Sequence, residues 1–170
     1  MFIHIIYTIL LLLTPLISEP ININAKLIPR IVLQSSIIGE NQPINIAIVY
    51  KPNTLYKAIK LKKLIAKSLK GVDIKTTLLD VTKSNYSLDN IQALYLSDLD
   101  DKELEKIIDI AKKKRIITFS KNIEQFKKGA IFFIESKRKI NIYLNSKFSD
   151  DLNIGFNPSL LKYVKNYNEQ

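Results

Sequence analysis

The side chains that most often carry chemistry are scarce in this chain. There is no Cys, and the single His, His4, sits in an apolar N-terminal stretch. Thiol nucleophiles, thiolate metal sites and disulfides are therefore excluded, and the commonest general base is missing from the rest of the chain. Only four Gly are present and none follows the first strand-like run, so neither a dinucleotide fingerprint nor a phosphate loop can be drawn. Ser68 with Lys70, or Ser120 with Lys121, could form a Ser-Lys pair, but on a Lys-rich protein such neighbours are expected without catalysis. The densest acidic group is Asp98, Asp100, Asp101, Glu103 and Glu105. Carboxylates at a strand end can hold Mg²⁺. The competing reading, which the spacing favours, is helix entry: Asp100 and Glu103 stand at capping-box spacing, and acidic first-turn residues suit the helix dipole. No catalytic residue, metal ligand or cofactor is expected.

The elements that would position a site follow from hydrophobic periodicity. Apolar positions at helical spacing from Asn24 to Gly39 predict a helix capped by Asn24. Strands are expected at 44–50, 74–81, 91–97 and 115–120, with helices at 55–69 and 100–113 between them and a loop or short helix at 120–128. Alternation of strand and helix predicts a parallel sheet with right-handed crossovers. In such a sheet, ligands bind beyond the carboxyl ends of the strands. Tyr50, Ser97 and Ser120 stand at those ends and mark a candidate ligand pocket. Lys57, Lys60, Lys63 and Lys67 line the outer face of the second helix, as a solvated surface or as a face for lipid head groups or an acidic partner.

Residues 129–164 read as a terminal unit. Ala130 to Glu135 is an apolar strand, Ser136-Lys137-Arg138 a turn, and Lys139 to Leu144 an alternating strand that returns antiparallel. Asn145 could hydrogen-bond a ligand or, as the more ordinary role, hold the following loop. Asn157 and Pro158 suit the cap and first position of a closing helix with Leu160, Leu161 and Val164 inward. The expected fold class is thus α/β: a three-layer sandwich with a mostly parallel mixed sheet of five or six strands, a C-terminal antiparallel hairpin and a closing helix.

The same unit resembles the end of the YfiR-like family of bacterial periplasmic proteins. Gly129, Arg138, Asn145 and Ser159-Leu160-Leu161 stand at positions comparable with the family's Gly, turn Arg, strand-end Asn and Ser-x-x-Leu-Leu helix; Ala130 replaces a second Gly. The resemblance covers about a third of the chain and weakly extends over the strands ending at Ser97 and Ser120. It implies a non-enzymatic regulatory or sensory protein. The founding type restrains a membrane-bound diguanylate cyclase by binding its periplasmic sensor domain, so cyclic-di-GMP signalling and an inner-membrane partner, a cyclase or a sensor kinase, are implied here, engaged in trans. The alternative is a periplasmic small-ligand binding module serving a transporter or receptor. A homodimer is left open.

Residues 5–13 are apolar but too short to span a bilayer, and Thr14-Pro15 and Ser18 follow. Residues 1–18 are therefore expected to be a signal peptide, with an uncleaved anchor as the alternative, and 19–170 a single exported domain. The 170 residues and 46% hydrophobic content suffice for one core. The net charge of +10, none of it from residues 1–18, is compatible with an anionic partner, but lysines spread over helix faces in a Lys-, Ile- and Asn-rich chain favour an ordinary solvated surface. Nucleic acid is not expected outside the cytoplasm, and the basic residues lack interleaved aromatics. N-terminal sequencing of the exported protein is expected to begin at Glu19; a start at Met1 would show a retained anchor.

Overall fold

The computed structural model describes residues 20–39, 42–83, 87–137 and 139–167. The run INIAIVY forms β1 (Ile44–Tyr50), apolar on both faces because both faces are covered. A 3₁₀ turn (Pro52–Thr54) leads into α2 (Leu55–Ala66), which follows α1 (Pro20–Leu33) in sequence. The chain continues through β2 (Ile74–Asp80), β3 (Ala93–Leu96), α3 (Asp101–Lys114), β4 (Ile117–Ser120) and α4 (Ile123–Lys127). β5 (Phe132–Ser136), β6 (Ile140–Leu144), α5 (Ser146–Asp151), α6 (Pro158–Leu161) and β7 (Val164–Asn166) complete it.

The strands form one sheet in the order β2-β1-β3-β4-β5-β6-β7. The first five are parallel; β6 runs antiparallel to β5, with Ile134 opposite Ile142, and β7 is parallel to β6. Beneath α1 and α2, one face packs Ile46, Ile48, Tyr95, Phe119, Phe132 and Ile134. The other face packs Ala47, Val49, Leu94 and Leu96 beneath α3 and Phe126 of α4. β1-α2-β2 steps toward one edge and β3-α3-β4 toward the other, so helices on opposite faces give both crossovers the same hand. Phe119 stacks on Phe132 with ring centroids 5.3 Å apart, and Phe156 meets Phe132 edge-on at 5.0 Å. Such pairs add about 0.5–1.5 kcal/mol each beyond their burial.

The α/β class and the mostly parallel mixed sheet are as the periodicity indicates. Three features differ. First, α1 runs from Pro20 to Leu33, so Asn24 lies inside the helix and does not cap it. Pro20 needs no N–H partner at a first turn. The helix stops before Gly39 because the following backbone is committed elsewhere: Ser36 N donates to Gly155 O and Asn157 N to Gln34 O, both at 2.8 Å. Second, the segment after Asn145 is not a bare loop but the helix α5. Third, the closing helix is the single turn α6, and Val164 opens a seventh strand. The free edge of β6 offers ladder hydrogen bonds that outweigh the helical spacing of Leu160, Leu161 and Val164. Arg138 lies outside the described residues.

Gly129, between α4 and β5, has φ +120°, and an added Cβ there would sit 3.2 Å from Ile108 Cγ2 and 3.3 Å from Phe148 Cζ. Gly71, after α2, has φ +81° but open space around it. Gly129→Ala is expected to cost about 3 kcal/mol, from strain plus overpacking, and Gly71→Ala only about 1 kcal/mol, from strain alone. Urea midpoints of the two variants check this; equal losses would show that the packing around Gly129 relaxes freely.

Candidate functional site

At the reversal between β1 and β3 the neighbouring connections leave in opposite directions, which opens a crevice beyond the strand ends. Here the backbone is held by buried polar groups. Ser97, just after β3, donates its hydroxyl to Val49 O at 2.7 Å. Gln125 of α4, itself buried, donates from Nε2 to Ser97 O at 2.5 Å and accepts at Oε1 from Lys121 N at 3.2 Å. One side chain thus ties the end of β3 to the end of β4. Asn122 caps α4 by accepting from Gln125 N, so the clamp is set by the helix that carries it.

Above these ends lies a cleft of about 1070 Å³. Its inner wall is apolar: Ile21 from α1, Ile48 from β1, Ala58 and Leu61 from α2, and Ile134 from β5. Two polar side chains stand among them. Asn24 is 8% exposed and its Oδ1 has no hydrogen-bond partner among the described residues, while Nδ2 reaches the Tyr95 hydroxyl over a long 3.5 Å. Burial pushes the Tyr95 phenol up to about 12, so it stays protonated through the physiological range. An unpaired buried amide oxygen costs about 1–3 kcal/mol.

The rim is charged. Lys57, Lys121 and Lys137 line it with Asp98 and Glu135. Lys121 pairs with Asp98, and Lys137 with Glu135 at 3.1 Å. Glu135 also accepts from Asn141 and Tyr143; Lys137 first, then Asn141, holds its carboxyl below the usual range. Beside the rim the acidic group at 98–105 is dispersed among separate lysines. Asp101 meets Lys128 at 2.6 Å, and Lys51 bridges Asp100 at 3.0 Å and Glu103 at 2.8 Å. Asp100 and Glu103 form a reciprocal capping box at the start of α3, the helix-entry role favoured by their spacing.

The structure places the strand-end residues unequally. Ser97 lines the cleft. Ser120 is buried and donates to Phe132 O at 3.2 Å. Tyr50 is half-buried and packs against the core. Gly129, Asn145 and Ser159-Leu160-Leu161 of the terminal unit lie toward the other end of the sheet, where β6 ends. Asn145 is buried and caps α5, accepting from Phe148 N at 3.3 Å, and Phe148 in turn crowds Gly129. Ser159 Oγ lies 2.8 Å from Asn157 Oδ1 and 3.3 Å from Gln34 Oε1, joining α6 to the end of α1. Leu160 packs against the core and Leu161 is 43% exposed. Tyr95 and Gln125 escape the motif-based reading, and Asn24 enters it only as a helix cap. Asn24 left a signal: it shares a helical face with Ile28 and Ile31, where a polar residue is out of pattern.

A family model described as YfiR/HmsC-like matches residues 39–165. No curated protein matches the sequence. Among solved structures, a conserved domain protein from Vibrio cholerae superposes with TM-score 0.64 at 15% identity, covering 88% of this chain. An ABC domain from Streptococcus pneumoniae, in complex with L-Trp, superposes with TM-score 0.61 at 11% identity, covering 86%. The chain spans 60% of the length of each. At these identities the likeness is one of fold. No described helix is long and apolar enough to cross a membrane.

The capping box carries a pH signature. The Glu103 backbone N–H, then Lys51, holds the Asp100 carboxyl below its ordinary 3.8, and Glu103 and Asp100 together raise Lys51 above 10.5. The Asp100 contribution is present above its unfolded value and lost as pH falls through the lower folded value; the Lys51 contribution is present below 10.5 and lost as pH rises through the higher one. Asp100→Asn keeps a capping acceptor but no charge. Its Tm deficit relative to the unmodified protein should therefore shrink as pH drops from about 5 to below 3. A deficit that persists at low pH would show that the carboxylate charge contributes nothing.

Proposed function

This chain belongs to the YfiR/HmsC-like family, whose members are periplasmic regulators of diguanylate cyclase signalling and not known enzymes, and on that premise we propose that it is a non-enzymatic regulatory protein that binds the periplasmic part of an inner-membrane signalling protein, a diguanylate cyclase or a sensor kinase. The family match over residues 39–165 carries this reading. Export by residues 1–18 would place residues 19–170 beside such a partner, which they would engage in trans. The chemistry agrees: the carboxylates beside the strand ends are engaged by lysines and a helix cap, and the Ser97 and Ser120 hydroxyls by backbone carbonyls. A net charge of +10 favours an acidic face on the partner.

The cleft favours a second reading, a small-ligand binding module serving a transporter or receptor. Its apolar wall and few convergent polar groups are the usual make-up of a ligand site.

Crosslinking the tagged mature protein in envelope extract, followed by mass spectrometry, separates the two. Enrichment of an inner-membrane cyclase or sensor kinase is expected. Lys57→Glu with Lys63→Glu on the exposed face of α2 should then weaken that capture severalfold, as like charges replace complementary ones. Recovery of a transporter alone, or of no protein, would sink the regulatory reading.

A further inference from the structure

The cleft at the strand ends combines three features that no fold requirement explains together. Its wall is apolar and includes the ring of Tyr95. Within that wall the amide of Asn24, more than nine-tenths buried, has an oxygen without a partner among the described residues. Around its mouth stand five lysines against two carboxylates, Asp98 and Glu135. An apolar body, one hydrogen-bonding group and one negative charge would answer all three.

We propose that this cleft binds an aromatic carboxylate bearing a ring hydroxyl, with the hydroxyl at Asn24 and the carboxylate at the lysine rim near Lys57. The inference deepens the ligand-binding reading and rests on it. A hydroxyl suits the site because it both donates and accepts. With the amide as placed, the phenol donates to Oδ1. With the amide turned over, Oδ1 faces the Tyr95 hydroxyl and the phenol accepts from Nδ2. The Tyr95 phenol, held protonated by burial, adds no competing negative charge. The ring lies against Ile21, Ile48 and Leu61 and covers their apolar surface. The carboxylate meets Lys57, which has no carboxylate partner among the described residues, whereas Lys121 and Lys137 are engaged by Asp98 and Glu135.

The test is isothermal titration of the mature protein with 4-hydroxyphenylacetate, phenylacetate and 4-hydroxyphenylacetamide. Saturable binding of the first is expected, about tenfold weaker for phenylacetate through the lost hydrogen bond. The amide should bind severalfold weaker, and added salt should erode its disadvantage. Asn24→Leu should bind the two acids equally, because the group that reads the ring hydroxyl is gone. Lys57→Gln should narrow the gap between acid and amide. Equal binding of all three compounds would overturn the proposed ligand class and leave a ligand site standing. No binding of any of them to the unmodified protein would overturn the proposal. A thermal-shift screen with mixed periplasmic metabolites would then show whether the ligand-binding reading falls with it. The comparison of the three compounds needs no variant, so it stands even if Asn24→Leu fails to fold.

Discussion

Every residue of β3 and β4, and five of the seven in β1, are buried. A strand that is apolar on both faces must be covered on both faces, at about 1.5–3 kcal/mol for each large aliphatic side chain removed from water. That constraint sets the remainder of the architecture. α1 and α2 cover one side and α3 and α4 the other, and connections of a single hand can do this only by leaving β1 and β3 in opposite directions. The crevice at the strand ends is the geometric remainder of that arrangement.

The protein then treats the two ends of its sheet differently. Toward the end where β6 stops, polar side chains are spent on joining elements: Asn145 caps α5, Ser159 meets Gln34, and Arg115 donates to the carbonyls of Leu152 and Asn153 at 2.9 and 2.6 Å. This end also holds Gly129, whose backbone tolerates no Cβ without displacing Ile108 or Phe148. At the carboxyl ends, Ser97 and Gln125 fix the frame of the cleft, while the Asn24 amide oxygen has no hydrogen-bond partner among the described residues. Polar side chains thus join elements at one end, and the open cleft occupies the other.

Charge follows the same division of labour. Most carboxylates beside the cleft already have lysine partners at 3.1 Å or less, and exposed pairs of this kind add little to stability. Their larger effect is on the field. Pairing removes the negative charge from the surface and leaves the surplus of lysine to define it, so an approaching partner or ligand meets a positive rim around an apolar interior.

Much of this was legible in the sequence because it depends on neighbours along the chain. INIAIVY, ALYL and ITFS mark buried strands by their lack of polar interruption, and Leu104, Ile107, Ile108 and Ala111 mark the inner face of α3. Asp100 and Asn157 mark helix starts because a cap acts within three residues of itself. What only the tertiary structure decided depends on partners far away in sequence. α1 ends where residues 155–157 take its following backbone, β7 forms because β6 has a free edge, and the clamp of Gln125 on Ser97 spans 28 residues. The cleft belongs to that second group. Asn24 and Tyr95 are 71 residues apart, and their local patterns record a helix and a strand; only packing α1 across the end of β3 turns them into one wall.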